Sequence, residues 1–63
     1  MNIGDNVRRI RTERNMTQIE LAERVGVSQS MINQIERGTK ALNVNLAAQM
    51  AVVLECEVND FAS

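Results

Sequence analysis

The sequence predicts an all-α fold, a compact domain of five short helices. Three observations carry that expectation. Apolar residues recur at helical spacing, with little of the alternation of a strand. Proline is absent and Phe61 is the one aromatic residue, and nothing resembles a strand ladder, a repeat or a low-complexity linker. Capping residues also stand where helices need them, with Thr17, Ser28 and Asn43 at starts and Gly26 and Gly38 just past ends. A chain of 63 residues holds one domain, 1–63, with no room for a second. Its core is small, so every apolar helix face has to be used.

The first helix is predicted from about Ile3 to Arg14. Ile3, Val7 and Ile10 fall at i, i+4 and i+7 and form one narrow apolar stripe. Asn15 is the expected left-handed stop. The second helix is expected over 18–25. Thr17 and Glu20 form a T-x-x-E capping box, and Met16 can pack on Leu21 as a hydrophobic staple. Gly26 supplies the left-handed turn that follows. Val27 plugs the corner and Ser28 caps the third helix, 29–37, with Val27 and Ile32 as a second staple. Gly38 ends that helix, and Thr39 to Leu42 form a loop.

Asn43 caps a fourth helix running to about Leu54. Its expected core face is Val44, Ala47, Ala48, Ala51 and Leu54. Leu46, Met50, Val52 and Val53 then leave it apolar on more than one side. A short turn around Val58 to Phe61 forms the fifth helix. Cys56 fills a small apolar site between the last two, as a valine would. The alternative, a redox sensor, lacks a basic neighbour to support it.

The second and third helices belong together. Leu21, Val25, Ile32 and Ile35 give them a shared buried face, and the small Ala22 sits where they must cross closely. An ordinary helical bundle does not need Ala22, Gly26 and a three-residue turn at once. Residues 18–37 therefore form a helix-turn-helix, a device that places its second helix in the major groove of DNA.

Charge fits that reading through its distribution. The net charge is −1, but all seven basic residues lie within 1–40 beside five acids, a local balance of +2. Glu55, Glu57 and Asp60 lie beyond with no base, a balance of −3. Such a chain can present a positive face to phosphate while its far end is acidic. Catalysis is not expected. There is no histidine, no glycine-rich phosphate loop and no metal-ligand cluster, so no enzyme, cofactor or metal is predicted. No basic-then-apolar run follows Met1, and Val44 to Leu54 is too short to span a bilayer. The expected place is the cytoplasm, with no membrane partner and no evident small-molecule ligand.

On the third helix, Gln29, Ser30, Asn33, Gln34 and Arg37 share one polar face opposite Ile32 and Ile35. A face meant only for solvent would favour Glu and Lys. Amides instead pair bidentately with adenine in the major groove, and a serine hydroxyl bonds several base edges. Gln29, Ser30, Asn33 and Gln34 are therefore the expected base readers. Met31 either touches a thymine methyl or packs on the surface. Arg37, Thr39 and Lys40, at or past the end of this helix, are placed to clamp the DNA backbone. The free amides beside Gln18, at the start of the second helix, suit an anionic oxygen. Arg8, Arg9 and Arg14 are expected as ordinary solvated arginines.

The chain resembles the lambda-repressor/Cro-type helix-turn-helix family of bacterial and phage regulators, also called the xenobiotic-response-element family. Arg11, the stretch TQIELAERVGVSQSMINQIERG (Thr17–Gly38) and the run Met50–Leu54 carry the resemblance, which extends from about Val7 to Phe61. It implies a five-helix regulator that binds operators, usually as a homodimer. It gives Gln18 a phosphate-binding role and pairs Arg11 with Glu36 in an ion pair between the first and third helices. The alternative is two unpaired surface charges. Two positions depart from the family pattern. Leu42 replaces a frequent proline, and Glu55 replaces a frequent glycine after the fourth helix, which leaves that turn less certain.

The predicted function is sequence-specific binding of double-stranded DNA as a transcriptional regulator, a repressor acting as a dimer on a pseudo-palindromic operator. The expected dimer contact is Val58 and Phe61, with the end of the fourth helix. The alternative for Phe61 is that it folds back onto its own first helix. The rival function is a protein-interaction module, an adaptor or antitoxin, favoured by the acidic isoelectric point and the surplus apolar residues of the fourth helix.

Overall fold

Each helix begins where a short polar side chain can satisfy its first free amides. In a computed structural model describing residues 2–63, Asn2, Thr17, Ser28 and Asn43 accept from the backbone N–H three residues on, at 2.8–3.1 Å. The helices are α1 (Ile3–Glu13), α2 (Gln18–Val25), α3 (Gln29–Arg37) and α4 (Val44–Leu54). The expected fifth helix is a 3-10 turn, Val58–Phe61. No strand occurs among the described residues.

The ends follow the same local chemistry. The Thr17–Glu20 capping box is complete in both directions. Gly26 takes φ 75°, a left-handed position in open space, so the turn needs glycine for its backbone and not for room. Asn15 stops α1 at φ 56°, as its residue type predicts. α1 closes at Glu13, one residue earlier than expected, with Arg14 as its C-cap.

The core joins Val7 and Ile10 of α1, Leu21, Ala22 and Val25 of α2, Ile32 and Ile35 of α3, five residues of α4, and Phe61. α3 packs between α1 and α2, α2 also meets α4, and the 3-10 turn closes against α1 and α4. Met16 and Val27 lie half-buried against this core, where the two staples would place them.

α4 differs from expectation. Its buried face is Leu46, Ala47, Met50, Ala51 and Leu54, while Val44 is 80% exposed and Ala48 is exposed. Both stripes have helical spacing, so periodicity could not choose between them. Size does. Turning inward the face with Leu46 and Met50, in place of Val44 and Ala48, removes more apolar area from water. The outward stripe then reads Val44, Ala48, Val52.

Phe61 is also corrected. It is 2% exposed, one of the largest fully buried side chains, and belongs to the core of its own chain. It presents no surface to a second copy. Asn6 holds its segment in place, and Arg14 holds the turn that leads to it. The Asn6 side-chain amide donates to the carbonyls of Phe61 and Ser63, both at 2.8 Å. Arg14 donates to the carbonyls of Leu54 at 2.7 Å and Glu55 at 3.2 Å. Glu55 sits at φ 56°, the conformation glycine takes more cheaply. The Arg14 contacts satisfy carbonyls left open by the end of α4 and help hold that turn.

Gly4 permits a close approach of two helices. A Cβ there would strike the carbonyl oxygens of Ile35 and Glu36, so α1 can lie against the end of α3 only with glycine at this position.

Candidate nucleic-acid interface

The exposed side of α3 follows from the burial of the other side. Ile32, Ile35 and Glu36 face inward. Gln29, Ser30, Gln34 and Arg37 are exposed, and Asn33 is half-buried at the edge of their face. Three of the four expected base readers thus stand free, with the fourth beside them. Met31 is half-buried and packs against the core.

The loop after α3 folds back over its last turn. The backbone N–H groups of Thr39 and Lys40 both donate to the Gln34 carbonyl, at 2.9 and 3.3 Å. The Thr39 hydroxyl donates to the same oxygen at 3.2 Å. Arg37 and Lys40 have no carboxylate partner among the described residues.

A buried carboxylate fixes α3 against the other two helices. Glu36, with its side chain fully out of solvent, accepts from Arg11 Nε at 2.6 Å and Arg11 Nη2 at 3.0 Å, a bidentate pair. Gln18 Nε2 donates to Glu36 Oε1 at 3.0 Å. Arg11 Nη1 also donates to the Met16 carbonyl at 2.8 Å. One network therefore ties α1, the start of α2 and the end of α3. Burial alone pushes the Glu36 carboxyl up. The hydrogen bonds from Arg11 and Gln18 and the charges of Arg11 and Arg8 outweigh it, and hold the group below its ordinary value.

The network changes how Gln18 can act. One of its two amide hydrogens is engaged with Glu36, so what remains for an anion is the other amide hydrogen and the backbone N–H at the start of α2.

Residues 7–61 match the family described as Helix-turn-helix (HTH_3). The chain belongs to the Helix-turn-helix family. It is similar to the HTH-type transcriptional regulator RamB of Mycobacterium tuberculosis, at 34% identity over 61 residues. That match takes in 97% of this chain and 13% of RamB, so the chain spans a small part of that relative's length. Among solved structures it is similar to SinR, the master regulator for biofilm formation, in complex with DNA. There the TM-score is 0.90 at 27% identity, with 97% of this chain and 98% of the other covered. It is likewise similar to the restriction-modification controller protein C.AhdI from Aeromonas hydrophila. The TM-score is 0.89 at 25% identity, covering 94% of this chain and 89% of that one.

Within this Helix-turn-helix chain, several residues acquire roles that sequence reasoning missed. Asn6 had one local signal, a short amide on the apolar stripe of α1, three residues after Ile3 and four before Ile10. Arg14 had none, because its carbonyl partners lie about forty residues away. Gly4 likewise showed no signal without knowledge of where α3 ends. Cys56 is half-buried against the core. Burial and then the charge of Asp60 push its thiol up, outweighing Arg14, which fits filling space and disfavours a reactive thiolate. No helix among the described residues is long and apolar enough to cross a membrane.

Proposed function

We propose that this chain is a sequence-specific, double-stranded DNA-binding domain of a transcriptional regulator, with α3 as the reading helix. One observation carries the reading. The exposed face of α3 offers Gln29, Ser30 and Gln34, with Asn33 at its edge, on a helix held by a buried ion pair. Amides and hydroxyls at that place suit base edges, and a rigid mount keeps them in register. Arg37 and Lys40, the Thr39 loop and the Gln18 backbone amide contact phosphate around it. The regulator relatives and the SinR–DNA complex support this reading.

The mode of action is occupancy by two copies, as a repressor in the cytoplasm. One domain of this size covers too little DNA for high specificity, and a dimer on two half-sites about 34 Å apart supplies the rest. With Phe61 taken by the core, the second copy is met by Val52, 78% exposed, and Val58, 44% exposed. No cofactor takes part. The outward stripe Val44, Ala48, Val52 on α4 also favours a second reading, an adaptor or antitoxin module whose main contact is another protein.

Selection of binding sites from a random duplex pool tests the proposal. Enrichment of a pseudo-palindrome is expected, with half-sites about 10–10.5 base pairs apart or a multiple of that spacing. A pool that stays random after repeated rounds overturns the DNA reading and favours the adaptor.

A further inference from the structure

The basic residues separate by what they touch. Arg9 lies 3.5 Å from Glu13 one turn along the exposed side of α1. Arg11 is consumed by Glu36 and the Met16 carbonyl. Arg14 is consumed by the carbonyls that end α4. Arg24 stands one helical turn from Glu20. Arg37 and Lys40 are unspent and already belong to the proposed phosphate clamp.

Arg8 is different from all of these. Its Nε lies 3.5 Å from Glu36 Oε1, and its side chain is 53% exposed while that of Glu36 is fully buried. The carboxylate does not need it. Oε2 is taken by Arg11, and Oε1 already accepts from Arg11 and from Gln18. A second guanidinium on one matched carboxylate leaves an excess positive charge at the junction of α1, α2 and α3. Its two terminal amino groups have no protein partner among the described residues. A guanidinium steadied at Nε, with its outer fork free, has the geometry that binds phosphate in two points.

On the DNA reading given above, we infer that Arg8 binds a backbone phosphodiester of the duplex on the α1–α2 flank of α3. It supplies a charged side-chain contact there, beside the neutral amide hydrogen that Gln18 still has free of Glu36. Because Arg8 and Gln18 reach the same oxygen of Glu36, the contact is registered to the residue two positions beyond Gln34. Arg8 therefore positions the reading helix along the groove without carrying sequence information itself.

The test measures binding to a mixed-sequence DNA duplex across a salt series, for the wild type, Arg8→Ala, Arg8→Gln and Arg9→Ala. Arg8→Gln keeps a polar side chain of similar reach beside Glu36 and removes the charge, which separates charge from folding. Both Arg8 variants are expected to bind several-fold more weakly and to lower the salt slope by about one unit. Thermal melting of Arg8→Gln should stay near wild type, and Arg9→Ala should keep the wild-type slope. An unchanged slope in Arg8→Gln overturns the inference and leaves DNA binding standing, as does an equal loss in Arg9→Ala. A wild type that binds no duplex overturns both.

Discussion

Arg11 Nε lies 2.6 Å from Glu36 Oε2, and that contact fastens α3 to α1. The Arg11 side chain is 11% exposed and the carboxylate fully buried, so neither charge can turn to water if the other is lost. Removing Arg11 alone is expected to cost about 3 kcal/mol, the scale for breaking a buried pair. Arg8 and Gln18 remain to soften the loss. Arg11→Ala with Glu36→Ala should cost less than the sum of the singles by more than about 0.5 kcal/mol. Denaturant unfolding of the four proteins checks this, and strict additivity would mean the pair contributes nothing.

The same carboxylate sets an acid limit. Its folded-state pKa lies below its unfolded value. Its contribution to stability is therefore complete above the unfolded pKa and is lost as pH falls through the folded one. Melting temperature against pH should drop at the acid end by less in Arg11→Ala than in the wild type. Equal acid slopes would contradict the assignment.

Two backbone positions should respond in opposite directions. Gly4→Ala drives a methyl into the carbonyls at the end of α3, and about 1–3 kcal/mol of stability should be lost. Glu55→Gly relieves a left-handed non-glycine residue and removes a negative charge from the C-terminal end of α4. A gain of roughly 0.5–1 kcal/mol is expected, and because Arg14 bonds main-chain carbonyls its contacts survive. Calorimetric melting of both variants distinguishes these signs.

Assembly and folding should separate at the C-terminal end. Phe61→Ala is expected to cost about 3–5 kcal/mol. That is comparable to the roughly 3–9 kcal/mol available to a chain this short. Loss of helical circular dichroism should accompany the variant. Val52→Glu and Val58→Glu change exposed residues and should stay folded. Sedimentation with a two-half-site operator should show them bound one copy at a time, where the wild type binds as a pair. A wild type that fills the two half-sites independently would sink the dimer.

The helix boundaries were legible because they depend on neighbours in sequence. Thr17 with Glu20, Gly26, Ser28, Gly38 and Asn43 act over three or four residues, and α2, α3 and α4 lie where those residues place them. The polar face of α3 was legible for the same reason. The inward face of α4 was not, because its residues carry no charge and two of its stripes are apolar, so only volume in the assembled core chooses between them. Phe61, Asn6, Arg14 and Gly4 depend on partners more than thirty residues away. Chain chemistry gives the residue in such cases but not the neighbour. The Arg11–Glu36 pair was recovered at similar range through family resemblance alone.

Base reading by α3 is the centre of the account, and comparative affinity tests it most directly. Gln34→Ala and Lys40→Ala would be titrated against a selected operator and a scrambled duplex at one salt concentration. Gln34→Ala should lose about 1–3 kcal/mol on the operator and little on the scrambled duplex, whereas Lys40→Ala should weaken both alike. Equal losses for Gln34→Ala on the two duplexes, or none on either, would contradict α3 as the reading helix.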